Sequence, residues 1–206
     1  MRPLLPGAPG CLVLVTSRDR LTSLVALDGA RSVRLDTMDR RAAYRLLVAR
    51  LGRERTDAEP AAAEEILRRC AGLPLALAVV ATRAATHPSF TLADLAAELR
   101  SQCVLDAFSG DDAALDVREV FTTSYQRLGT EAARMFRVLA GHPDPDFTIP
   151  TAASLLALPP DRVRALTAEL YRADLLLEHS PGRYSYHDLL RTFAAELGSG
   201  LAVHRS

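Results

Sequence analysis

The chain has no lysine and no tryptophan, so all 25 of its fixed basic side chains are arginine. A phosphate-binding loop of the P-loop type needs a lysine that reaches the β- and γ-phosphates, so this sequence contains no such loop. The basic side chains are matched by 25 acidic ones, which gives a net charge of zero. A dedicated nucleic-acid or polyanion binder usually has a basic excess, and this balance argues against one.

Cysteines and long apolar runs are also scarce. Cys11, Cys70 and Cys103 are widely spaced and odd in number, so they offer neither a disulfide framework nor a zinc site. No apolar run approaches the roughly 20 residues of a membrane span, and proline and glycine break up the apolar N-terminus. We therefore expect a cytoplasmic protein without a secretory signal or a membrane partner.

The N-terminal 36 residues have the pattern of a β–α–β unit. Residues 12–15 form a continuous apolar run, which is typical of a strand buried on both faces of a parallel sheet. Residues 21–27 suit a short helix, and residues 32–35 suit a second strand. Two strands do not make a stable sheet alone. We interpret residues 1–36 as the C-terminal remnant of a larger α/β domain; the alternative is a pair of strands that packs on the following helices.

Residues 37–108 are predicted to form a unit of four helices. The first carries Tyr44 and Leu47 at helical spacing, and polar turn residues at 56–60 end it. The second ends at Gly72, the third spans residues 74–86, and Thr91 caps the fourth. A large apolar fraction in the third helix predicts that it is buried.

A winged-helix domain is predicted for residues 109–197, followed by a tail at 198–206. A Ser-Gly-Asp-Asp segment at 109–112 is the best linker candidate. Four helices follow it, the second of them predicted at residues 130–140. Two strands at 175–179 and 183–187 then flank a Pro-Gly turn and form a hairpin. A last helix runs to residue 197. The predicted fold is therefore mainly α, with a remnant of a parallel α/β sheet at its N-terminus.

The segment Gly72-Leu73-Pro74-Leu75 marks a tight corner between two helices. Glycine supplies the left-handed backbone at a helix C-terminus, and proline presets the first turn of the next helix. The corner is a turn of the helical bundle or a wall for a flat ligand, and the pattern alone leaves both open.

Three motifs in order resemble the NB-ARC module of STAND-class nucleotide switches. They are Leu-Val-Thr-Ser-Arg at 14–18, Gly-Leu-Pro-Leu-Ala at 72–76, and Tyr-His-Asp at 186–188 in the predicted winged helix. The resemblance covers residues 3–197 and is strongest to the NB-ARC part of SARP-type bacterial transcriptional regulators. It implies a binding module for ADP and ATP that switches between two states, with Mg²⁺ in the full-length protein.

The resemblance assigns the first motif to the terminal phosphate of the nucleotide. Arg18 takes the position of the phosphate sensor, since a guanidinium makes charge-assisted hydrogen bonds to phosphate oxygens. Thr16 and Ser17 lie beside it and face the nucleotide or cap the following helix. The alternative for Arg18 is an ordinary exposed arginine at the start of a helix.

The other two motifs are assigned to the remainder of the nucleotide. Leu73, Pro74 and Leu75, supported by Gly72, would pack on the base and the ribose. His187 would approach the β-phosphate of ADP, with Tyr186 in the place of the usual methionine and Asp188 orienting the ring. The alternative is that His187 ends a strand and Asp188 caps the last helix, with no ligand.

The main phosphate cradle and the acidic Walker B strand are absent from the sequence. Hydrolysis by this chain is therefore not expected, and the resemblance implies an upstream P-loop domain and an effector domain of the same protein as partners. Two other functions stay open. One is DNA binding through the helix at 161–173, whose charges are nearly balanced; the other is an interaction scaffold that does not respond to nucleotide.

Overall fold

The computed structural model describes residues 10–17, 21–101, 105–108 and 116–203 of the chain, and these are mainly helical. The helices are α1 (Thr22–Asp28), α2 (Arg40–Leu51), α3 (Arg53–Ala58), α4 (Pro60–Cys70), α5 (Pro74–Thr86), α6 (Leu92–Ser101), α7 (Val117–Tyr125), α8 (Thr130–Ala140), α9 (Ile149–Leu156), α10 (Pro160–Arg172) and α11 (Asp188–Val203). The strands are β1 (Asp146–Thr148), β2 (Leu177–Ser180) and β3 (Arg183–Ser185). None of the helices in these ranges is long and apolar enough to cross a membrane.

The N-terminal segment contains the predicted helix but not the predicted strands. Helix α1 forms, whereas residues 12–15 and 32–35 are neither helical nor part of a sheet. The prediction of two parallel strands in residues 1–36 is therefore wrong for the described part of this segment. A strand needs a neighbour to pair its backbone groups, and none is described beside either run. Their apolar side chains stay exposed, with 85% of Leu12, 84% of Leu14 and 89% of Leu35 accessible.

Helices α2–α6 form the helical unit, with five helices where four were predicted. The additional helix is α3, in the stretch whose second half was predicted to be a polar turn. Thr56 is fully buried within it. Its hydroxyl donates a hydrogen bond to the Gly52 carbonyl at 2.8 Å, so no polar group of this side chain is left without a partner. A threonine whose hydroxyl is satisfied in this way is compatible with a buried helix face.

Local signals set the helix boundaries of this unit. The Asp39 carboxylate accepts from the Ala42 amide at 2.7 Å and caps α2. The Thr91 hydroxyl accepts from the Asp94 amide at 3.0 Å, which confirms the predicted cap of α6. Helix α5 packs against α2, α4 and α6, and α4 also packs on α6. These contacts bury one side chain from each of four helices completely: Leu47, Ile66, Leu77 and Leu92.

A short connection leads from the helical unit to the rest of the chain. Residues 105–108 contact α5 and α7, and Leu105 and Phe108 are fully buried. Arg118 on α7 pairs with Asp106 at 2.5 Å and also with Glu196 on α11. The buried side chains of both parts consequently join in one cluster. The predicted linker at 109–112 lies outside the described residues, so the domain boundary there stays a prediction.

Helices α7–α11 and the three strands form the C-terminal unit. The hairpin is present as β2 and β3, close to its predicted position. The short strand β1 was not predicted from the sequence. It pairs with β3, and the antiparallel sheet has the order β1-β3-β2. A strand of three residues is too short to show the alternation of apolar and polar side chains from which strands are predicted.

Candidate functional site at the Gly-Leu-Pro corner

The corner between α4 and α5 is built from two consecutive left-handed residues. Ala71 has φ 48° and Gly72 has φ 73°. The Leu73 amide donates to the Cys70 carbonyl at 2.9 Å, and the Leu77 amide donates to the Leu73 carbonyl at 3.1 Å as α5 begins. The chain therefore passes from α4 to α5 through a turn of three residues, which is the tight corner that the Gly-Leu-Pro sequence predicts.

Gly72 is held by the backbone that precedes α2. The Met38 amide donates to the Gly72 carbonyl at 2.8 Å. A Cβ atom on Gly72 would lie 2.4 Å from the Met38 carbonyl oxygen, which is too close for any side chain. Glycine is required here by both the positive φ and this close approach.

The apolar residues of the corner differ in exposure. Leu73 and Leu75 are half-buried and pack against the core. Pro74 is exposed, and it occupies the first turn of α5. The face that the resemblance assigns to the base and ribose is thus a proline ring with two leucines anchored beside it.

His187 lies against this corner although it is 116 residues away in the sequence. Its Nε2 atom is 2.9 Å from the Ala71 carbonyl oxygen. Its Nδ1 atom accepts a hydrogen bond from the Leu189 amide at 3.3 Å. The structure therefore brings together two of the three motifs, the Gly-Leu-Pro corner and the Tyr-His-Asp segment.

The neighbours of His187 fix its position. Tyr186 is buried, and its hydroxyl donates to the Phe136 carbonyl at 2.7 Å. This burial raises the pKa of the Tyr186 phenol far above its usual range. His187 itself caps α11, because its side chain binds the Leu189 amide and its carbonyl accepts from the Arg191 amide at 2.9 Å. Capping by Asp188, the alternative drawn from the sequence, is replaced by capping through His187, and Asp188 is exposed in the first turn.

The first motif is only partly described. Thr16 and Ser17 are exposed in the segment 10–17, and Arg18 lies outside the described residues. Their predicted contact with a terminal phosphate stays a prediction.

The basic side chains at the end of α4 are already paired. Arg69 lies 3.0 Å from a Glu65 carboxylate oxygen, and Arg68 pairs with the other oxygen of the same carboxylate. Burial raises the pKa of the neighbouring Cys70 thiol to about 12, so this cysteine stays protonated and unreactive at neutral pH. The side chains of the described part of the corner thus offer the His187 N–H and an apolar wall, which is less than a complete phosphate site.

Metal ligands and cavities do not add to the site. Across the described ranges, no three His, Cys, Asp or Glu side chains are grouped so that they could hold a metal ion. A shallow open depression is lined by residues 51–55 and Ala58. None of the predicted site residues contributes to it.

Sequence reasoning missed the partners that hold the corner. Met38, Ala71 and Leu189 act through main-chain groups. A main-chain donor or acceptor carries no side-chain signature, so no motif could have identified these three residues.

The chain is similar to a segment of bacterial regulatory proteins from Streptomyces. Two such relatives are the regulatory proteins AfsR of Streptomyces griseus and of Streptomyces coelicolor, which are 40% and 37% identical to it over 195 residues. Each alignment covers 94% of this chain, but only 20% and 19% of the respective relative. The chain therefore spans about one fifth of the length of the curated relatives it matches. No protein-family model matches the chain.

Proposed function

We propose that this chain is the helical and winged-helix part of an adenine-nucleotide switch within a SARP-type transcriptional regulator. The observation that carries the proposal is the contact between His187 and Ala71, because it joins two motifs that are far apart in sequence at one place. The similarity to AfsR, a regulatory protein, supports the regulatory part of the proposal.

Each part of the corner has a role in this proposal. Pro74, between Leu73 and Leu75, is the surface for the base and ribose, and the His187 ring supplies a donor for the β-phosphate of ADP. Arg18 is assigned to the terminal phosphate of ATP. In this proposal the phosphate cradle comes from a P-loop domain of the same protein, since a chain without lysine cannot supply the lysine of that cradle. The ligands of Mg²⁺ are assigned to the same domain.

One further feature agrees with this assignment. From α8 to β3, the elements of the C-terminal unit follow in the order helix, strand, helix, helix, strand, strand, and the sheet has the order β1-β3-β2. A winged helix has this order of elements. The switch is cytoplasmic in this proposal, and it is regulatory, without hydrolysis by this chain.

Calorimetry with ADP tests the proposal in two proteins, this chain alone and the same chain joined to a P-loop segment of the regulator. We expect binding in the joined protein and a loss of affinity of about tenfold or more for His187→Ala, because a charge-assisted hydrogen bond contributes about 1.5–3 kcal/mol. Pro74→Ala should also weaken binding. Absence of ADP binding, or equal binding by both variants, would contradict the proposal.

Two residues of this chain provide matched controls. His179 is exposed on β2 of the same hairpin, so His179→Ala removes an imidazole away from the corner. Pro160 opens α10 as Pro74 opens α5, and both are exposed at the start of a 13-residue helix. Neither His179→Ala nor Pro160→Ala should change the affinity for ADP.

A nucleotide-independent scaffold is the second candidate function. It is favoured by the fact that the Nε2–H of His187 is already bonded to Ala71. Folding and partner binding without any change in thermal stability on addition of ADP would support this candidate over the switch.

Direct DNA binding through α10 has less support. Arg162 donates to Glu131 at 2.7 Å, and Arg164 donates to Asp161 at 2.6 Å. Phosphate contacts need basic side chains that are not already neutralised. We expect no duplex binding at physiological salt, and a band shift with a steep salt dependence would contradict this.

A further inference from the structure

The connection between the helical unit and the C-terminal unit is a small apolar plug, formed by residues 105–108. They make a single turn, in which the Phe108 amide donates to the Leu105 carbonyl at 3.2 Å. Leu105 and Phe108 are fully buried and Ala107 is 4% accessible, whereas 60% of the Asp106 side chain is accessible. One turn is too short to hold its shape alone, so the plug is ordered by the contacts of its three apolar side chains.

The plug lies between helices of different units. Residues 105–108 pack against α5, which belongs to the helical unit, and against α7, which opens the C-terminal unit. Leu77 on α5 and Val117 on α7 belong to the same apolar cluster as Leu105 and Phe108. The plug therefore joins the cores of the two units, and a change of orientation that separates α5 from α7 would expose it to water.

Burial of the plug outweighs the polar contact beside it. Arg118 on α7 pairs with Asp106 at 2.5 Å and also with Glu196, but the side chains of Arg118 and Asp106 are partly exposed. Exposed ion pairs contribute little to stability and are screened by salt. Full burial of a leucine or phenylalanine side chain contributes more. The orientation of the two units thus depends chiefly on the burial of Leu105 and Phe108.

The Gly-Leu-Pro corner also touches the C-terminal unit, through the hydrogen bond between His187 and Ala71. A single hydrogen bond fixes one distance and leaves rotation about it open. Its net contribution is also smaller than that of two fully buried apolar side chains. The corner therefore adds to the plug but does not replace it.

We propose that residues 105–108 are a conformational lock. With Leu105 and Phe108 inserted between α5 and α7, the two units move as one body, and they reorient only after these side chains are withdrawn. Neighbouring units of a chain move relative to each other by default unless a large apolar interface joins them. The plug is apolar enough to hold one orientation and small enough to be withdrawn while both units stay folded. This inference goes beyond the proposed function, because it does not depend on a nucleotide.

Residual dipolar couplings of the backbone amides measure the orientation of each unit within the whole chain. In a weakly aligned sample, two units that move as one body share one alignment tensor, whereas units that move independently give two. We expect the amides of α2–α6 and those of α7–α11 to share one tensor in the unmodified chain. Phe108→Ala should abolish the common tensor, while both sets of amide signals keep the dispersion of folded protein.

Phe147→Ala is the matched control. Phe147 is nearly as buried as Phe108, with 3% accessible, but it lies on β1 and packs on Tyr184 and Tyr186 within the C-terminal unit. Its replacement removes the same side chain from the core of one unit, so the common tensor should persist. The common tensor should also persist in Arg118→Gln, and in salt that screens exposed ion pairs.

Every other outcome overturns the lock. It is wrong if the unmodified chain shows two tensors, or if Phe108→Ala keeps one. Two tensors in Phe147→Ala would contradict it, because uncoupling would then follow from any loss of core packing. If Arg118→Gln or raised salt uncouples the units, an ion pair holds them and the plug does not. If Phe108→Ala unfolds a unit, Leu105→Ala must give two folded units with separate tensors. Unfolding or a common tensor in that variant would show that residues 105–108 are part of a core and not a lock.

Discussion

Gly72→Ala should destabilise the protein more than other glycine-to-alanine substitutions at positive φ. Alanine at a φ of 73° is in the left-handed region, which costs about 1–2 kcal/mol. The new Cβ would also lie 2.4 Å from the Met38 carbonyl oxygen. Because this neighbour is backbone, it can move away only if the hydrogen bond between the Met38 amide and the Gly72 carbonyl is strained or lost.

The cost of the contact between the new Cβ atom and Met38 can be estimated from that hydrogen bond. Met38 and Gly72 are half-buried, so the strain or loss of this hydrogen bond is expected to cost about 1–2 kcal/mol. Together with the backbone strain, we expect Gly72→Ala to lower the free energy of unfolding by about 2–4 kcal/mol.

Gly182 provides a matched control in the hairpin turn. It has nearly the same φ, 75°, but an added Cβ would meet no atom within 4 Å. Gly182→Ala should therefore show the backbone strain alone, about 1–2 kcal/mol. Both substitutions reduce the entropy of the unfolded chain in the same way, so their difference isolates the contact with Met38.

Urea denaturation followed by circular dichroism at 222 nm gives both free energies. The difference between the two variants should be about 1–2 kcal/mol, which corresponds to about 2–8 °C in the midpoint of thermal unfolding for a domain of this size. Equal destabilisation by the two substitutions would refute the close approach between Gly72 and Met38, and with it the rigid attachment of the corner to the chain before α2.

Three further predictions concern single side chains. Tyr186→Phe should lower the free energy of unfolding by about 0.5–1.5 kcal/mol, because it removes the buried hydrogen bond from the phenol to the Phe136 carbonyl on α8; urea denaturation measures this, and no loss would contradict it. Iodoacetamide at pH 8 should label the exposed Cys11 and not Cys70, whose pKa burial raises to about 12, and peptide mass spectrometry of the native protein would detect the reverse. The Thr91 hydroxyl and amide hold the pKa of the Asp94 carboxyl below its usual value, so this cap stabilises the protein above about pH 4 and the contribution is lost as the pH falls through the folded-state pKa. Asp94→Asn should reduce that part of the pH dependence of the thermal midpoint, and an unchanged pH profile would count against the cap.

Helix positions were predictable where proline, glycine or a capping residue marks an end. The predicted bounds of α5 and α8 agree with the structure residue for residue, at Pro74–Thr86 and Thr130–Ala140. Both are long enough for the apolar period to be clear. The proline, glycine and capping signals lie at the ends of the helix itself, so they do not depend on contacts with distant parts of the chain.

Features that depend on distant partners were not predictable in the same way. The runs at 12–15 and 32–35 have the composition of buried strands, yet pairing depends on neighbours that lie elsewhere. Strand β1 forms only because β3 lies beside it. The bond between His187 and Ala71 was missed for a related reason: the resemblance pointed to a phosphate acceptor, and the structure has a main-chain carbonyl there.

The two consecutive carbonyls of the corner bind different parts of the chain, and this separates the effects of its residues. The Ala71 carbonyl accepts from His187 in the C-terminal unit, and the Gly72 carbonyl accepts from Met38 before α2. Pro74 takes part in neither bond, because its ring only opens α5 and faces solvent. Pro74→Ala should therefore leave both links intact and report on a ligand at the corner, whereas Gly72→Ala should disturb the links even when no ligand is present. A loss of ADP affinity in the first variant with unchanged stability would separate a nucleotide wall from a mere bundle turn, which the Gly-Leu-Pro sequence alone cannot do.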